Sequence, residues 1–297
     1  MILVTGATGF LGGYVVEKLV QAGIDQVKCF VRADSRTEKL QKLGVELSYG
    51  SFEEYGSFVE ALNGVKTIVN VASLGFGHAQ GIVRGCEEAG VERGIFFSTT
   101  AVFTTLNAQT KIVRLEAERL IKESSLKYTI LRPSMIYGSN RDRNMCRLIK
   151  YLRMSPVIPV FGSGQFLQQP VYVEDLADAV VAVLNNEPTI NKQYNLAGAK
   201  PLTYNQVIDT TCKALNRSVM KLHIPVGISV KLLGFYESVS KKPRFKAEQV
   251  LRLNEHKDFD IKEAVADFGY DPLDFETGIK KEIRHIYEND VKFQAEV

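Results

Sequence analysis

The residues best placed to do chemistry lie close to the amino terminus. Thr5-Gly6-Ala7-Thr8-Gly9-Phe10-Leu11-Gly12 joins an apolar run, Ile2-Leu3-Val4, to a segment with helical periodicity. Glycines at these positions have distinct physical uses. One permits a tight strand-to-helix turn, the next lets the backbone approach a pyrophosphate, and the third lets the helix pack close to the strand. The free amides and dipole at the start of a helix favour an anion. The loop sits in a strand–loop–helix unit of about 30 residues, the context this chemistry requires. The expectation is a dinucleotide site built from Thr5, Gly6, Thr8, Gly9, Phe10, Leu11 and Gly12.

The end of the second apolar run carries a further signal. A site for NAD(H) usually has an acid there to bind the ribose 2′-hydroxyl. This chain has Cys29-Phe30-Val31-Arg32, with Arg36 following. A guanidinium matches a phosphate bidentately, so Arg32 and Arg36 point to a 2′-phosphate and a preference for NADP(H). Asp34 could still reach the ribose, which keeps NAD(H) in play. On the adenine side the chain offers the Ser51 hydroxyl and the Phe52 backbone.

Other chemistry finds little material. Cys29, Cys86, Cys146 and Cys212 are scattered, with no CxxC pair and no zinc spacing, so no metal is expected. His78, His223, His256 and His285 are isolated. His78 alone follows a strand on the side where ligands bind in this kind of sheet. No G-x-S-x-G elbow and no H-E-x-x-H occurs.

These residues must be positioned by the elements around them. Short buried-type strands are expected at Met1–Thr5, Gln26–Arg32, Val45–Tyr49, Thr67–Ala72, Gly94–Ser98 and Tyr128–Arg132. Helical patterns fill the gaps at Leu11–Ala22, Phe52–Leu62, Gln80–Ala89 and Thr110–Glu123, several ending on glycine. This alternation predicts an α/β fold with a doubly wound parallel sheet over residues 1–138. Residues 139–297 are expected to form a smaller mixed α/β lobe, interleaved with the first. Helices are anticipated near Asp175–Leu184, Tyr204–Leu215 and Phe275–Tyr287.

The Gly-x-x-Gly-x-x-Gly spacing resembles the short-chain dehydrogenase/reductase superfamily, whose nucleotide-binding half is a Rossmann domain. Asn70-Val71-Ala72-Ser73 resembles its fourth-strand motif. Ser98-Thr99-Thr100-Ala101-Val102-Phe103 resembles its fifth-strand segment. Arg132-Pro133-Ser134-Met135-Ile136-Tyr137-Gly138 and Val171-Tyr172-Val173-Glu174-Asp175 resemble the extended and atypical branches, which include epimerase/dehydratase-like and dihydroflavonol-reductase-like members. The resemblance covers nearly the whole chain. It implies cofactor contacts at Val71, Ala72, Ser73, Pro133 and Ser134, and a small-molecule substrate in a crevice between the lobes. It also allows a homodimer through helices beside the fourth and fifth strands.

The catalytic set that the resemblance implies is altered. The family uses Tyr-x-x-x-Lys on one helical face, the tyrosine as acid or base and the lysine holding the nicotinamide ribose. Alignment on Glu118 and Tyr128–Pro133 puts Thr110 at the tyrosine position and Arg114 at the lysine position, with Thr99 at the usual catalytic hydroxyl. Thr110 cannot replace a phenol, and a guanidinium does not shuttle protons near neutral pH. Two readings follow. One is an oxidoreductase or epimerase-like enzyme with a non-standard proton donor, favoured by the intact loop and full second lobe. The other is a cofactor-binding protein without turnover, a redox sensor or assembly subunit, favoured by the loss of both residues.

Bulk properties narrow the partners. The 37 basic and 34 acidic residues leave a net charge of +3, too small to argue for nucleic acid or an anionic membrane. The densest basic run, Lys241-Lys242-Pro243-Arg244, reads as a solvated loop face. Scattered cysteines, the lack of a secretory signal and the lack of a membrane-length apolar stretch suggest a cytoplasmic protein.

Overall fold

The structure is a computed structural model and describes residues 1–106, 108–239 and 247–289. The Lys241–Arg244 run falls outside the described residues. In chain order the first elements are β1 Ile2–Thr5, α1 Phe10–Gln21, β2 Val27–Val31, α2 Glu38–Lys42, β3 Glu46–Tyr49 and α3 Tyr55–Ala61. They continue with β4 Thr67–Asn70, α4 Ala79–Glu88, β5 Arg93–Phe97, α5 Gln109–Glu123 and β6 Lys127–Pro133. Next are β7 Ile136–Tyr137, α6 Met145–Met154, β8 Val157–Phe161, β9 Leu167–Gln168, β10 Val171–Tyr172, α7 Val173–Leu184 and β11 Lys192–Leu196. The rest are β12 Leu202–Thr203, α8 Tyr204–Ala214, β13 Met220–Ile224, α9 Val226–Val239, α10 Ala247–Leu253, α11 Lys262–Phe268 and α12 Phe275–Asn289.

The chain forms two compact units. The first comprises Met1–Ser134, Val173–Leu196 and Asp260–Asp271. The second comprises Met135–Tyr172, Ala197–Phe259 and the segment from Pro272. The first unit holds a seven-stranded parallel sheet in the order β11-β6-β5-β4-β1-β2-β3. The winding direction reverses between β1 and β4, so the sheet is the doubly wound α/β fold that the alternation predicts. Strand limits agree with expectation to within a residue or two. The fourth strand stops at Asn70 rather than Ala72, because the next residues turn to meet the loop after β1.

Parallel strands covered on both faces should be apolar throughout, and β1, β2 and β5 are buried along their whole length. Leu3, Phe30, Ile68, Phe96 and Ile130 pack with Phe58, Leu62, Ile82, Cys86, Ala117 and Ile121, which seats α3, α4 and α5 on that core. Helices α1 and α7 pack against each other, with Lys18 paired to Asp178 at 2.8 Å. Arg93 fastens the unit at the start of β5. Its guanidinium donates to Lys127 O (2.6 Å), Thr129 Oγ1 (2.5 Å), Val183 O (3.2 Å) and Thr189 Oγ1 (3.3 Å), all neutral acceptors. Burial without a counter-ion pulls its pKa down to about 10.

The second unit has three two-stranded sheets, β10-β7, β12-β9 and β13-β8. Tyr137, Met145, Ile149, Tyr172, Val207, Phe275, Ile279, Ile283 and Ile286 form its main core. Helix α6 was not anticipated, although its buried residues Met145, Cys146, Ile149 and Leu152 recur at helical spacing. Helix α8 starts at a capping box between Thr203 and Gln206, which satisfies two amides reciprocally. Tyr137 and Tyr172 are core residues here, with ring centroids 5.5 Å apart. No helix among the described residues is long and apolar enough to cross a membrane.

Glu282 on α12 is fully buried near the Asp142 carboxyl, and neither of its carboxyl oxygens has a hydrogen-bond partner. Asp142 Oδ1 accepts from the amides of Asn144 (2.9 Å) and Cys146 (3.1 Å). Burial of a carboxyl without a partner disfavours its charged form, so Glu282 keeps its proton. Burial, reinforced by Asp142, pushes Glu282 up to about 11. An acid whose folded pKa is raised loses stability as pH rises, from its unfolded value near 4.5 up to its folded value. Glu282→Gln, a neutral isostere, is therefore expected to gain about 1–3 kcal/mol over wild type at pH 8 and nothing near pH 4. Urea denaturation across that range measures it, and a pH-independent difference would exclude the retained proton on Glu282.

Candidate functional site

The residues expected at the nucleotide site all fall in the first unit, at the carboxyl ends of its strands. Because the sheet is parallel, those ends share one edge, and the reversal between β1 and β4 opens the loops on either side of it. Thr5 closes β1 with its hydroxyl donating to Asn70 Oδ1 at 2.7 Å, while Asn70 Nδ2 donates to Ala72 O at 3.0 Å. These bonds bind the first loop to the segment Val71–Ser73. Gly6 has φ +68°, and a Cβ there would lie 2.7 Å from the Ala72 amide nitrogen. A Cβ on Gly12 would lie 2.1 Å from Gly6 O, and one on Gly9 would lie 2.9 Å from the same oxygen.

The loop therefore fits a diphosphate in the way its spacing suggests. Gly9 stands before α1 in extended geometry, no side chain caps the helix, and its first turn holds no acid. The opening amides of α1 are thus left to an anion. Thr8, Gly9 and Phe10 are at least partly exposed, whereas Leu11 and Gly12 are buried in the helix–strand contact. Pro133 O accepts from the Thr100 hydroxyl at 3.3 Å, and Ser134 N donates to Leu196 O at 3.0 Å. Residues 133–134 are thereby fixed beside the end of β11.

On the adenosine side, Gly50 N donates to Val31 O at 3.0 Å, which sets the ends of β2 and β3 side by side. Arg32 and Arg36 are exposed, and Arg32 Nε lies 3.7 Å from Asp34 Oδ1. Ser51 is already engaged. Its hydroxyl donates to Glu53 and accepts from Glu53 N at 3.1 Å, so little of it is left for a base. Phe52 packs in the cluster with Phe30 and Phe58 and stacks on the His78 ring at 5.5 Å.

At the position of the usual catalytic pair, α5 runs past two 3₁₀ turns, Leu74–Phe76 and Thr100–Phe103. The Arg114 guanidinium lies against the first turn, 3.2–3.4 Å from where a Gly75 Cβ would stand. Thr110 is exposed, and Lys111 is drawn away to Thr104 O at 2.5 Å. Thr99 caps the second turn, its oxygen accepting from Ala101 N at 3.2 Å, which leaves its proton available. Among the described residues no group of three or more His, Cys, Asp or Glu could hold a metal ion.

Sequence reading used Glu118 as an alignment marker and missed its role. Glu118 is buried and pairs bidentately with Arg132, with Nε at 2.9 Å from Oε1. The same guanidinium donates to Gln193 Oε1 at 2.8 Å and lies over the Phe103 ring at 5.2 Å. Burial pushes the Glu118 carboxyl up, but the hydrogen bonds and charge of Arg132 win and hold it low. The available signal was a glutamate four residues after Arg114, on the buried stripe that also contains Ala117 and Ile121.

A family model described as NAD(P)H-binding matches residues 6–188. The chain is 26% identical over 269 residues to subunit 9 of the NADH dehydrogenase (ubiquinone) 1 alpha subcomplex from Dictyostelium discoideum, covering 83% of this chain and 73% of that one. It is 26% identical over 229 residues to quinone oxidoreductase 2 of Escherichia coli, covering 74% and 76%. Among solved structures, UDP-glucuronic acid 4-epimerase from Bacillus cereus in complex with NAD superposes with a TM-score of 0.76 at 18% identity, covering 97% and 98%. That last likeness is one of fold.

Gly9→Val is expected to abolish dinucleotide binding, since the added side chain meets Gly6 O and the mouth of α1. Titration calorimetry with circular dichroism as the folding control tests this. Undiminished affinity in a folded variant would remove the loop from the site.

Proposed function

The chain belongs to the NAD(P)H-binding family, and from that premise we propose that it is an NADP(H)-preferring reductase of small, electron-poor acceptors of the quinone class. The observation that carries this reading is Arg114 at Gly75, with an exposed Thr110 one turn before it. A simple carbonyl becomes a strongly basic alkoxide when it accepts hydride and needs a positioned acid. A quinone becomes a hydroquinone anion, which water can protonate. The bound nicotinamide would supply the hydride. Arg114, charged at any working pH, and the Thr99 hydroxyl would give hydrogen bonds to the acceptor oxygen as charge builds on it. The likeness to a quinone oxidoreductase supports the acceptor class. The expected setting is cytoplasmic.

A second reading rests on the same altered pair: a protein that holds the cofactor without turnover, as an assembly or regulatory subunit. The likeness to a subunit of NADH dehydrogenase favours it. Steady-state oxidation of NADPH separates the two. The enzyme reading expects turnover with a soluble benzoquinone and none with aliphatic aldehydes or UDP-sugars. Binding without oxidation of any acceptor would establish the subunit reading.

Two substitutions probe the assignment. Arg32→Ala should weaken NADP(H) by about 1.5 kcal/mol and spare NAD(H), the lower end for a charged hydrogen bond because the side chain is solvated. Equal loss for both cofactors would remove the 2′-phosphate contact. Thr110→Tyr with Arg114→Lys is expected to bring carbonyl reduction up from background, by as much as the roughly 10²-fold that a positioned acid supplies. No gain in a folded double variant would mean that this face of α5 does not address the nicotinamide.

A further inference from the structure

The adjacent ends of β2 and β3 carry a charge balance that the phosphate-clamp reading leaves unused. Arg32 and Arg36 contribute two positive charges there. Asp34 lies 3.7 Å from Arg32 and contributes one negative charge. Glu53 contributes the other from the turn four residues after β3, where the Gly50 N to Val31 O bond sets that turn beside the end of β2 and the Arg32 charge acts on it. Glu53 is not a loose surface carboxylate. The Ser51 hydroxyl donates to Oε2, the Glu53 amide returns a bond to Ser51 Oγ, and Oε1 lies 3.7 Å from His78 Nε2. His78 is in turn stacked on Phe52, at the start of α4.

We propose that Glu53 is a cofactor-selectivity residue that acts against a 2′-phosphate, narrowing the preference that Arg32 and Arg36 create, so that the chain accepts both NADP(H) and NAD(H). The inference rests on the dinucleotide reading above. A 2′-phosphate brings about two negative charges into this region, whereas the 2′-hydroxyl of NAD(H) brings none. A fixed carboxylate nearby therefore penalises one cofactor and leaves the other untouched. The Ser51 hydroxyl bond, with the Glu53 amide and the Arg32 charge adding to it, holds Glu53 below the usual carboxylate range, so the negative charge persists at neutral pH. Because Glu53 is exposed, the effect is modest and is screened by salt.

The test is calorimetric affinity for NADP⁺ and NAD⁺ with wild type, Glu53→Gln, Glu53→Lys and Arg32→Ala, at low salt and at about 0.5 M salt. Glu53→Gln should tighten NADP⁺ about threefold and Glu53→Lys about tenfold, with NAD⁺ unchanged and both gains shrinking at high salt. An unchanged NADP⁺/NAD⁺ ratio in both Glu53 variants overturns the inference, as does equal tightening of the two cofactors. Loss of NADP⁺ affinity in Arg32→Ala alongside silent Glu53 variants would keep the clamp and discard Glu53. The converse pattern would keep Glu53 and discard the clamp. Failure of wild type to bind either dinucleotide overturns both.

Discussion

The first unit depends on the contact between the loop after β1 and the segment after β4. Gly6 and Gly12 bring backbone to backbone at distances no side chain would allow, with Gly12 effectively in contact with the Gly6 carbonyl. Helix α1 can begin directly at the end of β1 only because of that approach. The Thr5–Asn70 and Asn70–Ala72 bonds then hold the two loops together at the point where strand order reverses. The same glycines serve packing and the anion site. The close approach aims the uncapped mouth of α1 at the sheet edge.

The Glu118–Arg132 pair does for α5 what the glycines do for α1. Both side chains are almost wholly buried, at 2% and 10% exposure, so the pair is held by complete hydrogen bonding rather than by charge alone. Gln193 extends it to β11 and Phe103 covers the guanidinium. Removal of one partner would leave a buried charge, at a cost of about 3–5 kcal/mol. The pair lies one turn after Arg114 and so fixes the rotation of α5. That rotation sets Arg114 against the turn at Gly75.

The adenosine end shows how a motif-level inference becomes a balance of charges. Two arginines after the second strand point to a phosphate. The structure adds two carboxylates at the same place, one of them braced by Ser51. Ser51, the expected contact to the base, is occupied by that bracing. The apolar wall behind it, Phe30, Phe52 and Phe58, positions the turn and explains why it can hold an exposed glutamate still.

What the sequence by itself determined was everything that depends on local pattern. The strand–helix alternation and the position of the glycine loop follow from short-range periodicity and spacing, the altered Thr110/Arg114 pair is implied by the family resemblance, and the six leading strands lie where the patterns put them. Tertiary structure decided what depends on residues distant along the chain. The seventh strand, Lys192–Leu196, joins the sheet through partners some 60 residues earlier. Its segment is recruited by a buried Arg93 reaching Val183 and Thr189, a long-range satisfaction of donors that no local window contains. The pairing of Glu118 with Arg132, the burial of Glu282 near Asp142, and the influence of the Arg32 charge on Glu53 have the same origin. Each is a matter of which charges burial and strand register bring together, and periodicity carries no information about that.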